Sequence, residues 1–295
     1  MPPSSSRSSR GVVARILDGK AAAAEVRAEV ASEVAGLRER GVPVRLDVVL
    51  VGEDPASITY VASKERDSQE VGIESMVHRF PPDVPQEDLA GLVGRLNDDK
   101  AVSGFFIQLP LPEGLDSRPL ISNISPAKDV DGLSPESVGR LAVGLPSLLP
   151  CTPHGIIQLL ERNGIDLAGR EAVVVGRSNL VGKPIAQLLL RENATVTVCH
   201  SRTRDLPGVT RRADVLIVAA GRREMIGTEH VKAGAVVVDV GIHRKEEGGL
   251  VGDVHFDEVE QRAAWISPVP GGVGPMTRAM LLHNTVMAAR RGLRS

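Results

Sequence analysis

The chain of 295 residues is poor in aromatics, with one tyrosine, one tryptophan and four phenylalanines. That leaves little material for platforms on which nucleic-acid bases stack. Charge is balanced at a net −2, with a pI near 6.4. Without an overall basic field, nucleic acid is not an expected partner, and a small molecule is. No apolar run approaches the roughly 18 residues that cross a bilayer, so no membrane partner is expected. The two cysteines, Cys151 and Cys199, lack the C-x-x-C spacing of a zinc or redox pair. They read as reduced and structural in a cytoplasmic protein, and the scattered histidines give no metal site. The opening "MPPSSSRSSRGVVAR" has no acid and no apolar core. It only faintly resembles an organelle transit peptide, and a short tail is expected there. Internal repeats of 20 to 50 residues are absent from the sequence.

Alternation is what the chain does have. A helical run ends at Gly41, and a β-branched strand spans 44–52. Helix 56–72, extended segment 73–80, helix 86–99 and apolar strand 102–112 follow. Prolines and glycines then break residues 112–153 into short pieces, which points to a domain junction near 150. Order resumes with strand 171–176, helix 183–193 and strands 194–200, 213–221 and 234–241. A last helix, 275–291, is expected to pack back on the first half. The predicted fold class is α/β: two domains with a cleft between them, the second a Rossmann-like doubly wound parallel sheet. The first domain is read as 1–150 with helix 275–295, the second as 151–274.

Lysine is scarce too, seven against 28 arginines, so each lysine asks for a reason. Lys64 stands four residues after the single tyrosine, Tyr60, in "ITYVASKERD". That spacing puts both on one helix face, though by itself it favours a surface helix with a packed tyrosine and a solvated lysine. In "VVVGRSNLVGKPIAQLLL", Gly176 ends a strand and Gly182 opens a helix, a geometry in which backbone amides hold a pyrophosphate. The spacing is not the usual G-x-G-x-x-G. At the end of the following strand, "CHSRTR" offers Ser201 and arginines where an NAD site would place a carboxylate, and Arg177 is nearby. The cofactor reads as NADP, unless these arginines are merely a solvated edge. A Tyr-x-x-x-Lys pair first suggests a short-chain dehydrogenase. In that family the pair follows the glycine turn, and here it precedes it.

The segments "YVASKERDSQEVGI", "GFFIQLPLP", "PAKDVDGLSP", "PCTPHG", "GRSNLVGKP", "ATVTVCHSRT", "GAVVVDVGIHR" and "PVPGGVGPMT", in this order, resemble the bifunctional methylenetetrahydrofolate dehydrogenase and methenyltetrahydrofolate cyclohydrolase family. The resemblance implies NADP-dependent oxidation of methylenetetrahydrofolate, then hydrolysis to 10-formyltetrahydrofolate, in a homodimer. It implies Tyr60, Lys64, Gln108 and Asp131 as catalytic residues. Gly176, Arg177, Ser178, Ser201 and Ile242 would bind the cofactor, and Tyr60, Asp131, Pro270, Gly271 and Gly272 the folate. Two positions depart from the pattern: His243 replaces a usual asparagine and His255 a common aspartate. Oxidation leaves a methenyl cation, so a protonated Lys64 would oppose the product and a neutral amine would not. Neutralising a lysine near pH 7 takes roughly 4 kcal/mol, which burial can supply and arginine cannot accept. Asp129 is expected to be structural. A dehydrogenase without the second activity, or a non-catalytic nucleotide- or folate-binding protein, is the alternative.

Overall fold

Residues 13–292 are described by the computed structural model, so the start of the expected tail lies outside the described residues. Chain order in the first half is β1 (Arg15–Ile16), α1 (Gly19–Glu39), β2 (Arg45–Val51), α2 (Pro55–Glu70), β3 (Glu74–Phe80), α3 (Gln86–Asp98), β4 (Gly104–Ile107), α4 (Ser117–Ser122) and α5 (Pro135–Ala142). Local chemistry sets the ends. Asp18 accepts the amides of Lys20 and Ala21 at 2.9 and 3.0 Å, capping α1, and Gly41 in the left-handed region (φ 74°) closes it. Asp54 caps α2 at the Ser57 amide (2.8 Å), ahead of Pro55 at the first helical position.

The second half runs α6 (Cys151–Arg162), β5 (Glu171–Val175), α7 (Gly182–Arg191), β6 (Thr195–Cys199), α8 (Leu206–Thr210), β7 (Val215–Val218), β8 (Val236–Asp239), β9 (His243–Arg244), β10 (Leu250–Val251), α9 (Phe256–Val259), β11 (Trp265–Ile266) and α10 (Val273–Gly292). Two parallel sheets result, one ordered β3-β2-β4 and one ordered β1-β11-β8-β7-β5-β6, with β9 and β10 as a small antiparallel hairpin. Parallel strands are covered on both faces, which is why β4, β7 and β8 are buried along their whole length.

The structure departs from the sequence reading in four places. The apolar strand expected over 102–112 stops at Ile107. Helix α6 begins at Cys151, inside the stretch read as broken by prolines and glycines, and α10 begins at Val273, two residues before Pro275. Strand β1 joins the larger sheet, although the chain start was assigned to the first half. Helix α10 lies against both α1 and α6. Val26 and Val30 of α1, Ile156 and Leu160 of α6, Ile185 of α7 and Met280 of α10 share one apolar cluster, which spans both sheets. A continuous core of this kind packs the two sheets against one helical layer.

Candidate active site

Tyr60 and Lys64 sit one turn apart on α2, and the lysine side is turned inward: Lys64 is only 5% exposed. Its Nζ lies 3.8 Å from the centre of the Phe106 ring and 4.5 Å from that of Tyr60. The one hydrogen bond that Nζ donates among the described residues goes to Gln108 Oε1, at 3.3 Å. Because β4 ends at Ile107, Gln108 is free to turn aside, and its own amide nitrogen donates to the Leu109 carbonyl at 2.7 Å. That bond leaves only the amide oxygen to face Lys64.

Burial pulls the Lys64 ammonium below its ordinary pKa, against a smaller upward pull from Asp131 and Cys151. The same burial raises Asp131, with Lys64 opposing, so both groups are drawn toward their neutral forms. Tyr60 is raised by burial and remains a phenol. These side chains, with Cys151, Thr277 and Leu180 from the turn before α7, line an inner cavity of about 180 Å³.

Asp131 is presented by a tightly tied loop. The buried Asp129 carboxylate accepts the amides of Gly132 (3.0 Å), Leu133 (3.2 Å) and Ser134 (2.8 Å). From α10, buried Asn284 donates to the carbonyls of Val130 and Leu149, each at 2.8 Å. Sequence reasoning missed Asn284, whose signal is an amide within the apolar run "MLLHNTVMAA".

Tyr60, Thr152 and Thr277 also line a second, outer cavity of about 510 Å³, so the two spaces adjoin. Ile242, Pro270, Gly271 and Gly272 lie around this outer space. Glycine is needed where α1 meets the Pro-Gly-Gly loop, because a Cβ on Gly19 would fall 1.6 Å from the Gly272 carbonyl oxygen. Ile242 is 62% exposed.

Gly176 follows β5 and Gly182 opens α7, as their places in the sequence suggested. Gly176 has φ 122°, and a Cβ there would sit 2.0 Å from the Ala219 carbonyl oxygen. Ser178 Oγ accepts the amides of Val181 (3.1 Å) and Gly182 (3.3 Å), tying the turn to the start of α7, which the sequence did not reveal. Because Gly176 N donates to the Cys199 carbonyl at 2.9 Å, the turn carrying Arg177 adjoins the turn carrying Ser201, Arg202 and Arg204. All of these side chains are exposed. The latter turn is held by the Thr203 hydroxyl, which accepts the His200 amide at 2.8 Å. Cationic groups are thus gathered on one edge with no acid among the site residues, which is what a 2'-phosphate requires.

A tetrahydrofolate dehydrogenase/cyclohydrolase catalytic-domain model matches residues 17–131, and the NAD(P)-binding-domain model of the same name matches 150–293. The chain is 74% identical to bifunctional protein FolD 1 of Rubrobacter xylanophilus, over 94% of this chain and 98% of that protein. It belongs to the tetrahydrofolate dehydrogenase/cyclohydrolase family. Among solved members of the family, the bifunctional FolD enzyme of Campylobacter jejuni superposes with a TM-score of 0.93 at 47% identity, covering 94% of this chain and 99% of that one. The Trypanosoma brucei dehydrogenase-cyclohydrolase, solved with NADP and an inhibitor, superposes at 0.91 with 39% identity over 96% and 99%. Family membership thus agrees with a resemblance first carried by eight short segments, and with the two-sheet α/β architecture.

Proposed function

We propose that this chain oxidises 5,10-methylenetetrahydrofolate with NADP and hydrolyses the 5,10-methenyl product to 10-formyltetrahydrofolate in one cleft. The observation that carries the reading is the buried Lys64 amine, bonded to Gln108 in a cavity that opens into a second, larger one. Gly176, Arg177, Ser178 and Ser201 would hold the adenosine phosphates of NADP, since the turn has no Cβ in the way and its cations are exposed. NADP supplies the hydride acceptor.

The inner residues divide the remaining work. Asp131 is suited to accept two N–H bonds from the aminopyrimidine edge of the pterin, which would seat the ring. Tyr60, a phenol under Lys64, orients the substrate. Oxidation leaves positive charge on the methenyl carbon, and a lysine held toward its neutral form does not repel it. That amine then takes a proton from the water attacking the carbon and returns a proton to the ring nitrogen as its bond to that carbon breaks, while the Gln108 oxygen receives an N–H bond and fixes the lone pair's direction. The family resemblance adds a cytoplasmic homodimer, testable by sedimentation equilibrium at twice the chain mass.

The test is to supply methylenetetrahydrofolate and NADP to the purified protein. Methenyl absorbance should rise and then decay as the ring opens. Decay must also be seen with preformed methenyl substrate. Binding of both ligands without turnover would overturn the reading.

A further inference from the structure

Beneath the outer cavity lie two buried carboxylates that the proposed chemistry does not use. Asp239 ends β8 and is 3% exposed; Asp253 follows β10 and is 0% exposed. Asp239 accepts the amides of Gly241 (2.9 Å) and Asp253 (3.0 Å) on one oxygen and that of Val254 (2.9 Å) on the other. Asp253 Oδ2 accepts the amides of Ala220 (2.7 Å) and Gly221 (2.8 Å). Its Oδ1 meets His243 Nε2 at 2.7 Å. Gly241 and Gly252 let the backbone close on this pair: a Cβ on Gly252 would fall 1.8 Å from Asp239 Oδ2. The turns after β7 and β8 and the segment after β10 therefore converge on two carboxylates. Every donor in the set is a backbone amide except one, the His243 ring.

His243 opens the hairpin and pairs with Val251 across it. Residues on either side of that tie, Ile242 and Leu250, line the outer cavity. The outer cavity shares Tyr60, Thr152 and Thr277 with the Lys64 cavity, and a hydride acceptor must touch the carbon held there. The redox end of the dinucleotide thus belongs in the outer cavity, beside Ile242 and Leu250. We infer that His243 is a positioning residue for NADP: bonded to Asp253, it anchors the hairpin and holds Ile242 and Leu250 as the apolar wall of the cofactor's redox end. The inference rests on the proposed function. It also gives a physical task to a position where the sequence departs from the family pattern.

Isothermal titration of NADP into the full-length protein and its His243→Leu, His243→Ala and His243→Gln variants tests it. Glutamine can place an amide N–H close to the imidazole Nε2 position. The leucine and alanine variants should bind NADP about tenfold more weakly, the loss expected for one hydrogen bond to a charged group, and glutamine should recover binding to within about threefold. In steady state, KM for NADP should follow binding, while kcat at saturating NADP stays within about threefold. Should the leucine variant not fold, the alanine and glutamine pair decides, at a position that is partly exposed. Unchanged binding in the leucine or alanine variant would overturn the inference. So would glutamine binding no better than alanine, which would make the ring's packing its whole role. A wild-type protein that binds no NADP would instead overturn the proposed function, and the cofactor role of His243 with it.

Discussion

The two ends of the cleft are built on opposite principles. At the Lys64 end the functional groups are few and turned inward, so the environment itself changes the protonation of Lys64 and Asp131. At the Arg177 end they are exposed, and the backbone beneath them carries the order, in the Gly176 turn and the Ser178 and Thr203 bonds. A buried pocket makes chemistry sensitive to a single atom. A wet edge makes affinity a sum of replaceable charges.

The sharpest way to break this contrast is at Lys64. Lys64→Met should lower the hydrolysis rate by at least about a thousandfold, and Lys64→Arg should not restore it, because guanidinium stays charged. A hydrolytic arginine variant, followed by methenyl absorbance, would refute the neutral-amine role. The helical seam between the two ends offers the next test. His154 of α6 faces His283 of α10 in an edge-on pair 5.6 Å apart, and burial lowers its pKa from 6.5 to about 4. The unfolded chain therefore binds the extra proton first, and stability is lost as pH falls from about 6.5 to 4. The loss should reach about 3 kcal/mol. Denaturant unfolding at several pH values should show that slope, and His154→Gln should flatten it.

Smaller effects separate the ends further. With wild-type protein, hydrolysis should fall about tenfold per pH unit once pH drops below the lowered pKa of Lys64, since only the free amine accepts a proton. A flat profile there would place the base elsewhere. At the wet edge, Arg177→Ala should weaken NADP roughly tenfold and NAD by less than about twofold. Titrations showing equal losses would move the 2'-phosphate contact to Arg202 or Arg204.

Legibility in the sequence followed locality. Alternating apolar runs closed by glycine marked β2, β5 and α1, and the scarcity of lysine singled out Lys64 before any contact was known. Strand β1 was invisible: two residues carry no periodicity, and its partners Trp265 and Ile266 come from the far end of the chain. Helix α6 was hidden by Pro153, which closed the stretch read as broken. At the third helical position Pro153 has no N–H to lose, and Gly155 lets Met276 approach, since a Cβ there would lie 3.0 Å from its side chain. Asp129 could be read as structural because its amide partners are three to five residues on. The His243 to Asp253 bond could not be, since it forms only when the hairpin closes.

Asn284 carries a last consequence, one of timing. The loop that presents Asp131 is stitched through Val130 and Leu149 to an amide 154 and 135 residues further along the chain. A ribosome must therefore deliver α10 before the pocket can close. A nascent chain that has formed both sheets but not yet α10 is an unfinished catalyst.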